Sequence, residues 1–153
     1  MTTIVFAEKK NRVEIAYDSK VSTGYSHEEL EQHKVFRVGP VVFGVAGAVS
    51  FANQVEAMNL PDHPEGMTAK ETDLWVQRVA IPALRRAGVA SDPEGAYYVG
   101  GRVLLAVNKR VYSIGGDYSR VRNTSGNYAI GSGGHYAKAA LDAGASAKRA
   151  VEI

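Results

Sequence analysis

Apolar residues recur along the chain with two different periods, and the switches between them predict the elements. Thr3 to Ala7 is β-branched and aromatic and reads as a strand. Val13, Ile15 and Tyr17 alternate with Glu14 and Ala16, the two-residue period of a second strand, and Asn11 predicts the turn that makes the pair a hairpin. Ser22 to Gln32 is polar and acidic and predicts a loop. Val35–Val38 and Val41–Val45 predict two more strands about a Gly39-Pro40 turn. The second of these is nearly all apolar, as expected of a strand covered on both faces.

After Gly47 the period lengthens. Phe51, Val55 and Met58 fall at helical spacing, and Pro61, Pro64 and Gly66 interrupt it. Thr68, with Glu71 three residues on, has the form of a capping box and opens a second helix. Leu74, Trp75, Val76, Val79, Ala83 and Leu84 supply its apolar face. Arg85 and Arg86 suit the C-terminal dipole, Gly88 ends the helix, and Pro82 predicts a kink. Strands return at Ala96–Val99, Val103–Val107, Val111–Ile114 and Tyr128–Ile130, with hairpin turns expected at Gly100-Gly101 and Asn108-Lys109. Gly131 to Gly134 is a glycine-rich turn into an alanine-rich helix, His135 to Ala143, and Ser146 predicts the cap of one more helix. Strands, helices, strands and helices in that order predict an α+β domain with helices packed on antiparallel sheets.

Composition narrows the class. The chain has 153 residues, of which 45% are hydrophobic and 22% charged, enough for one domain with a real core. Its 18 basic and 16 acidic residues leave a net charge of +2, and the basic residues are scattered, so neither a nucleic-acid groove nor a membrane surface is expected. There is no cysteine, which excludes disulfides, thiolate metal sites and a cysteine nucleophile. No apolar run approaches the ~20 residues of a bilayer span. Glu8, Lys9 and Lys10 follow the first apolar stretch, the reverse of a signal peptide, so the expected location is the cytoplasm.

Several chemistries find no motif. His27, Glu28, Glu29, Leu30 and Glu31 begin like a zinc helix but lack the second histidine, and His33 is poorly spaced to supply it, so no metal is expected. The glycine-rich turn at 131–134 has the strand-to-helix setting of a phosphate loop without the lysine or acid that would complete one, so no cofactor is expected either.

A different constellation stands out in five separated stretches. They are Thr2-Thr3-Ile4-Val5; Ala16-Tyr17-Asp18-Ser19 through Gly24; His33-Lys34-Val35; Val45-Ala46-Gly47-Ala48; and Ala129-Ile130-Gly131-Ser132-Gly133-Gly134 through Ala137. Together they resemble the proteasome β-subunit family of N-terminal nucleophile hydrolases, most of all the bacterial proteasome-like peptidase subunit that works with a hexameric ATPase. The resemblance implies a four-layer αββα sandwich of antiparallel sheets between helical layers. It also implies a single proteasome-like domain over residues 1–153, shorter than the family by the last helix and two strands.

The same resemblance implies roles. Removal of Met1, expected before so small a residue in a bacterial cytoplasm, makes Thr2 the nucleophile, with its own α-amine as base. Lys34 places a positive charge beside it, Asp18 pairs with Lys34, Ser132 hydrogen-bonds the amine, and the Gly47 N–H forms the oxyanion hole. Ser22 holds substrate main chain, and Val21, Val45 and Val49 lie near an apolar specificity pocket. The implied partners are further copies of the chain in a ring, an ATPase unfoldase and a polypeptide substrate. Three departures stand against this. Tyr17 is bulky beside the aspartate, the turn after Gly47 lacks its acid, and the sequence stops where the family begins its last helix, before its later aspartate and serine; a retained Met1 would in addition block the amine. They leave a second expectation open, a catalytically inactive structural or assembly subunit such as a phage-encoded one. Read without the resemblance, Thr2 and Thr3 are strand residues, Asp18 a turn cap and Lys34 a surface lysine. Gly47 and Ser132 are then a helix entry and its N-cap.

Overall fold

A computed structural model of the chain describes residues 3–18, 20–23, 26–29, 34–47, 49–91, 97–99 and 101–152. The first half runs β1 (Thr3–Glu8), β2 (Val13–Tyr17), β3 (Lys20–Thr23), β4 (Ser26–Glu29), β5 (Val35–Val38), β6 (Val41–Gly47) and α1 (Val49–Glu56). A long helix follows, α2 (Ala69–Trp75), a π-helical turn (Val76–Ala80) and α3 (Ile81–Gly88). The second half is β7 (Val89–Ser91), β8 (Tyr97–Val99), β9 (Gly101–Val107), β10 (Arg110–Ile114), β11 (Arg120–Val121), β12 (Asn127–Gly131), α4 (Gly134–Asp142) and α5 (Ala147–Glu152).

The first strand explains the layering. β1 lies between β12 and β2 in a three-stranded antiparallel sheet. Its even positions, Ile4 and Phe6, face Ala46, Leu104, Ala106 and Val111 of a second sheet. Its odd positions, Val5 and Ala7, face Ala137 and Leu141 of α4 and Ala147 and Ala150 of α5. A strand buried on both faces has no polar alternation, which is why Thr3 to Ala7 reads as a continuous apolar run. The second sheet has five strands in the order β11-β10-β9-β6-β5. Its far face, with Phe43, Val45, Val103 and Leu105, packs on Phe51 and Val55 of α1 and on Trp75, Val76, Ile81 and Leu84 of the long helix. Helices, sheet, sheet and helices make the αββα sandwich, with the sheet-to-sheet core at its centre.

Local chemistry explains most boundaries. Thr68 caps α2, its hydroxyl accepting from the Glu71 N–H while the Glu71 carboxylate accepts from the Thr68 N–H. Pro82 has no N–H to give, and the chain accommodates it by a π-helical turn, closed by the Ile81 N–H on the Val76 carbonyl, rather than by a sharp break. Asn108 and Lys109 have φ of 50° and 62°, the two left-handed positions of a type I′ hairpin between β9 and β10. Ser146 caps α5 by accepting from the Arg149 N–H.

Two expectations change, and two short strands are added. The polar stretch after Ser22 is not a loop throughout, because β3 and β4 pair as a hairpin in which Ser22 opposes His27. It has no apolar face, so periodicity could not reveal it. The hairpin expected at Gly100-Gly101 does not form: β8 pairs with β7, and Gly101 already belongs to β9, which pairs with β6 and β10. Short β7 and β11 carry too few residues for a period to show.

Candidate functional site

The site gathers where the start of β1 meets the ends of β2, β6 and β12. Thr2 and Met1 lie outside the described residues, so the site is anchored by Thr3. The Thr3 N–H donates to a carboxylate oxygen of Asp18 at 3.1 Å, and the Asp18 N–H donates to the Thr3 carbonyl at 3.1 Å. This reciprocal pair continues the β1–β2 ladder by one rung and holds the Asp18 carboxylate at the residue that follows Thr2. Thr3 is itself buried, at 7% exposure.

Lys34 enters from the other sheet. Its carbonyl accepts from the Val45 N–H at 2.8 Å, which carries the β5–β6 register one residue beyond β5. Its side chain is 8% exposed and its ammonium donates to the Gly47 carbonyl at 3.1 Å. Lys34 is therefore not a surface lysine. Burial pushes its pKa below the ordinary lysine value, and the Asp18 carboxylate opposes that shift by favouring the charged form. Asp18 and Lys34 thus act on each other electrostatically across the gap between the sheets. Gly47, at the end of β6, has φ of 136°, a conformation side chains disfavour. The bond from Lys34 holds the Gly47 carbonyl.

The glycine-rich turn closes the other side. Gly131 pairs with Thr3, and Gly133 caps α4 without a side-chain bond, so Ser132 is not the helix cap. A Cβ at position 133 would overlap the Thr3 hydroxyl oxygen. The turn is glycine-rich here because Thr3 occupies the space a side chain would need. Ser132 sits between these two contacts with its side chain exposed.

Of the residues singled out in the sequence, the fold brings Asp18, Lys34, Gly47 and the Ser132 turn around the start of β1. Val45 is buried in the core beneath α1 rather than exposed at the site. Val21 and Ser22 fall on β3 and Val49 opens α1, but their side chains, like Thr2 and His33, lie outside the described residues. Sequence reading missed Thr3 and Gly133 as a contact pair. The signal was present in the doubled glycine, which exceeds what a helix entry requires. Among the described residues no group of three His, Asp or Glu is arranged to hold a metal ion. Among them, too, no helix is long and apolar enough to cross a membrane.

No family model matches the sequence, and no curated protein does. Solved structures do. Thiobacillus denitrificans BPH superimposes with a TM-score of 0.67 at 20% identity, covering 97% of this chain and 84% of that one. The same protein in complex with epoxomicin gives 0.65 at 21% identity, covering 97% and 85%. Eukaryotic HslV from Trypanosoma brucei gives 0.62 at 23% identity, again covering 97% and 85%. The chain has the fold of these proteasome-like peptidases.

Proposed function

We propose that the chain is a threonine peptidase subunit in which Thr2, exposed by loss of Met1, is the nucleophile. The reading rests on one observation above all. Asp18 holds the backbone of residue 3 in a reciprocal pair of bonds while exerting its charge on a buried Lys34 that is tied to Gly47. A buried lysine beside a carboxylate at the mouth of a strand costs desolvation, and a fold keeps such a pair where a positive charge has work to do.

The steps follow from that arrangement. The Thr2 hydroxyl attacks the scissile carbonyl and gives its proton to the Thr2 α-amine. The Lys34 ammonium lowers the pKa of that amine, as a neighbouring positive charge does, so that it is unprotonated and can take the proton near neutral pH. The Gly47 N–H donates a hydrogen bond to the developing oxyanion. The protonated amine then returns its proton to the leaving amine, an ester on Thr2 remains, and water activated by the same amine hydrolyses it to acid and free hydroxyl. Ser132 orients the amine or that water. Ser22 holds the substrate backbone, and Val21 and Val49 shape an apolar pocket. Several copies close into a ring around the sites, and an ATPase feeds unfolded polypeptide into it in the cytoplasm. No metal or cofactor enters any step.

The test is hydrolysis of a fluorogenic peptide by the wild type, Thr2→Ala and Thr2→Ser. Thr2→Ala should be inactive and Thr2→Ser should retain part of the rate. Unchanged turnover in Thr2→Ala refutes the assignment. The competing reading is an inactive structural subunit. A stable assembly with no hydrolysis in any variant would establish that reading instead.

A further inference from the structure

The inward-facing row of β1 ends in a charge. Ile4 and Phe6 face the second sheet across the core, and Glu8, two residues on, keeps the same side of the strand. One oxygen of its carboxylate accepts from the Val111 N–H of β10 at 2.7 Å, and the Arg122 Nη2 donates to both oxygens at 2.7 and 2.8 Å. β11 pairs with Ser113 and Ile114 and stops short of Val111, so a side chain from the first sheet takes the backbone rung that a longer strand would fill. Gly126 makes room for it, since its φ is 74° and a Cβ at position 126 would press on the Glu8 Cβ.

Both partners of Glu8 are held from the other side. The Arg122 guanidinium lies over the Tyr112 ring, 5.8 Å from its centre. The Tyr112 hydroxyl donates to the Asp73 carboxylate of α2, and Arg110 donates to the same carboxylate at 3.0 Å. Val111 stands between Arg110 and Tyr112 in β10. Glu8 therefore grips a unit tied to the second sheet and to the long helix. The apolar contact between the sheets, where Ile4, Phe6, Tyr128 and Ile130 meet Ala46, Leu104, Ala106 and Val111, is of a different kind. Burial of apolar surface is non-directional, so it presses the sheets together with little hold on how far one slides over the other. Hydrogen bonds of set length supply that hold.

The placement of the sheets matters at the other end of β1. Thr3 and Asp18 belong to the first sheet, and Lys34 and Gly47 to the second. We infer that Glu8 is a positioning residue: by clamping the far end of β1 to Val111 and Arg122, it sets the placement of the Asp18 carboxylate against the Lys34 ammonium. Its bearing on hydrolysis rests on the peptidase reading. From Thr3 to Glu8 the strand spans about 17 Å, well beyond the ~8 Å screening length of physiological salt, so Glu8 acts through the strand and not through its field.

The experiment titrates the Lys34 side chain by NMR in protein carrying isotope-labelled lysine, with the resonance assigned through Lys34→Arg. Asp18→Asn keeps an oxygen for the Thr3 N–H and, in an otherwise wild-type chain, should lower the Lys34 pKa, because the Asp18 charge raises it. In Glu8→Leu that drop should shrink. An equal drop in the wild-type and Glu8→Leu backgrounds overturns the proposal, whatever the chain hydrolyses. Two further variants separate reach from charge and decide the matter if Glu8→Leu fails to fold. Glu8→Asp keeps the charge and draws it back by one carbon, whereas Glu8→Gln keeps the length and an acceptor for the Val111 N–H. Positioning predicts that Glu8→Asp perturbs Lys34 more than Glu8→Gln does, and the opposite order overturns it. In hydrolysis of a fluorogenic peptide, Glu8→Asp should lower kcat by about tenfold or more with KM held, because reacting groups are displaced and substrate contacts are not. A loss carried by KM alone also overturns the proposal. A wild type that cleaves nothing removes the peptidase reading and leaves the Lys34 titration to decide.

Discussion

Thr3 shows how much the site depends on single contacts. Its hydroxyl fills the space over Gly133, so Gly133→Ala forces either residue 3 or the turn to move. Overpacking of this kind costs about 1–3 kcal/mol, read as a lowered denaturation midpoint. Under the proposed mechanism, in which the residue before Thr3 is the nucleophile, peptide hydrolysis should fall by a larger factor than stability alone accounts for. Full activity in Gly133→Ala would detach the turn from the site. Lys34 carries a second prediction. Burial lowers its pKa in the fold, so between that lowered value and the ordinary lysine value the unfolded chain binds a proton that the folded chain releases. Stability contributed by Lys34 therefore rises with pH in that window. Compared with Lys34→Met by chemical denaturation, the wild type should gain as pH is raised toward the ordinary lysine value of about 10.4 from below, and a difference that stays flat contradicts the shift. At this scale the sequence displayed Asp18, Lys34 and Gly47 through their family spacing. It did not display burial of Lys34, which depends on two sheets meeting. It did not display Val45 turning into the core either, because a strand apolar throughout does not say which face looks where.

Among the elements, legibility followed the strength of the period. β1, β2, β5, β6, β9, β10 and the capped helix at Thr68 lie close to where alternation, apolar runs and capping chemistry place them. The β3–β4 hairpin carries no apolar face, and its pairing of Lys20 with Glu29 and Ser22 with His27 depends on backbone bonds that leave no mark on composition. Gly100-Gly101 misleads for a related reason. Two adjacent glycines signal a change of direction, not which sheet the chain enters next. The Asn108-Lys109 turn is the clearest local test. Lys109 has φ of 62°, and a left-handed residue other than glycine costs about 1–2 kcal/mol. Lys109→Gly should therefore raise the thermal midpoint, with a gain of up to ~1 kcal/mol after the larger backbone entropy of glycine in the unfolded chain is taken into account. A loss of stability would mean that the lysine side chain contributes more than its backbone strain.

For the whole molecule, the sandwich brings separated stretches of sequence to one place. Thr3, Asp18, Lys34, Gly47 and Gly133 are far apart in the chain and meet because β1 sits at the junction of both sheets and both turns. That convergence lies in a fold shared over 97% of the chain with Thiobacillus denitrificans BPH, and the proposed mechanism gives a free Thr2 amine the decisive part. The most direct measurement compares peptide hydrolysis by two preparations of the same chain, one with Met1 removed and one with Met1 retained, each defined by intact mass. Turnover confined to the preparation with a free Thr2 amine is the predicted result. Equal turnover with Met1 still attached would contradict it.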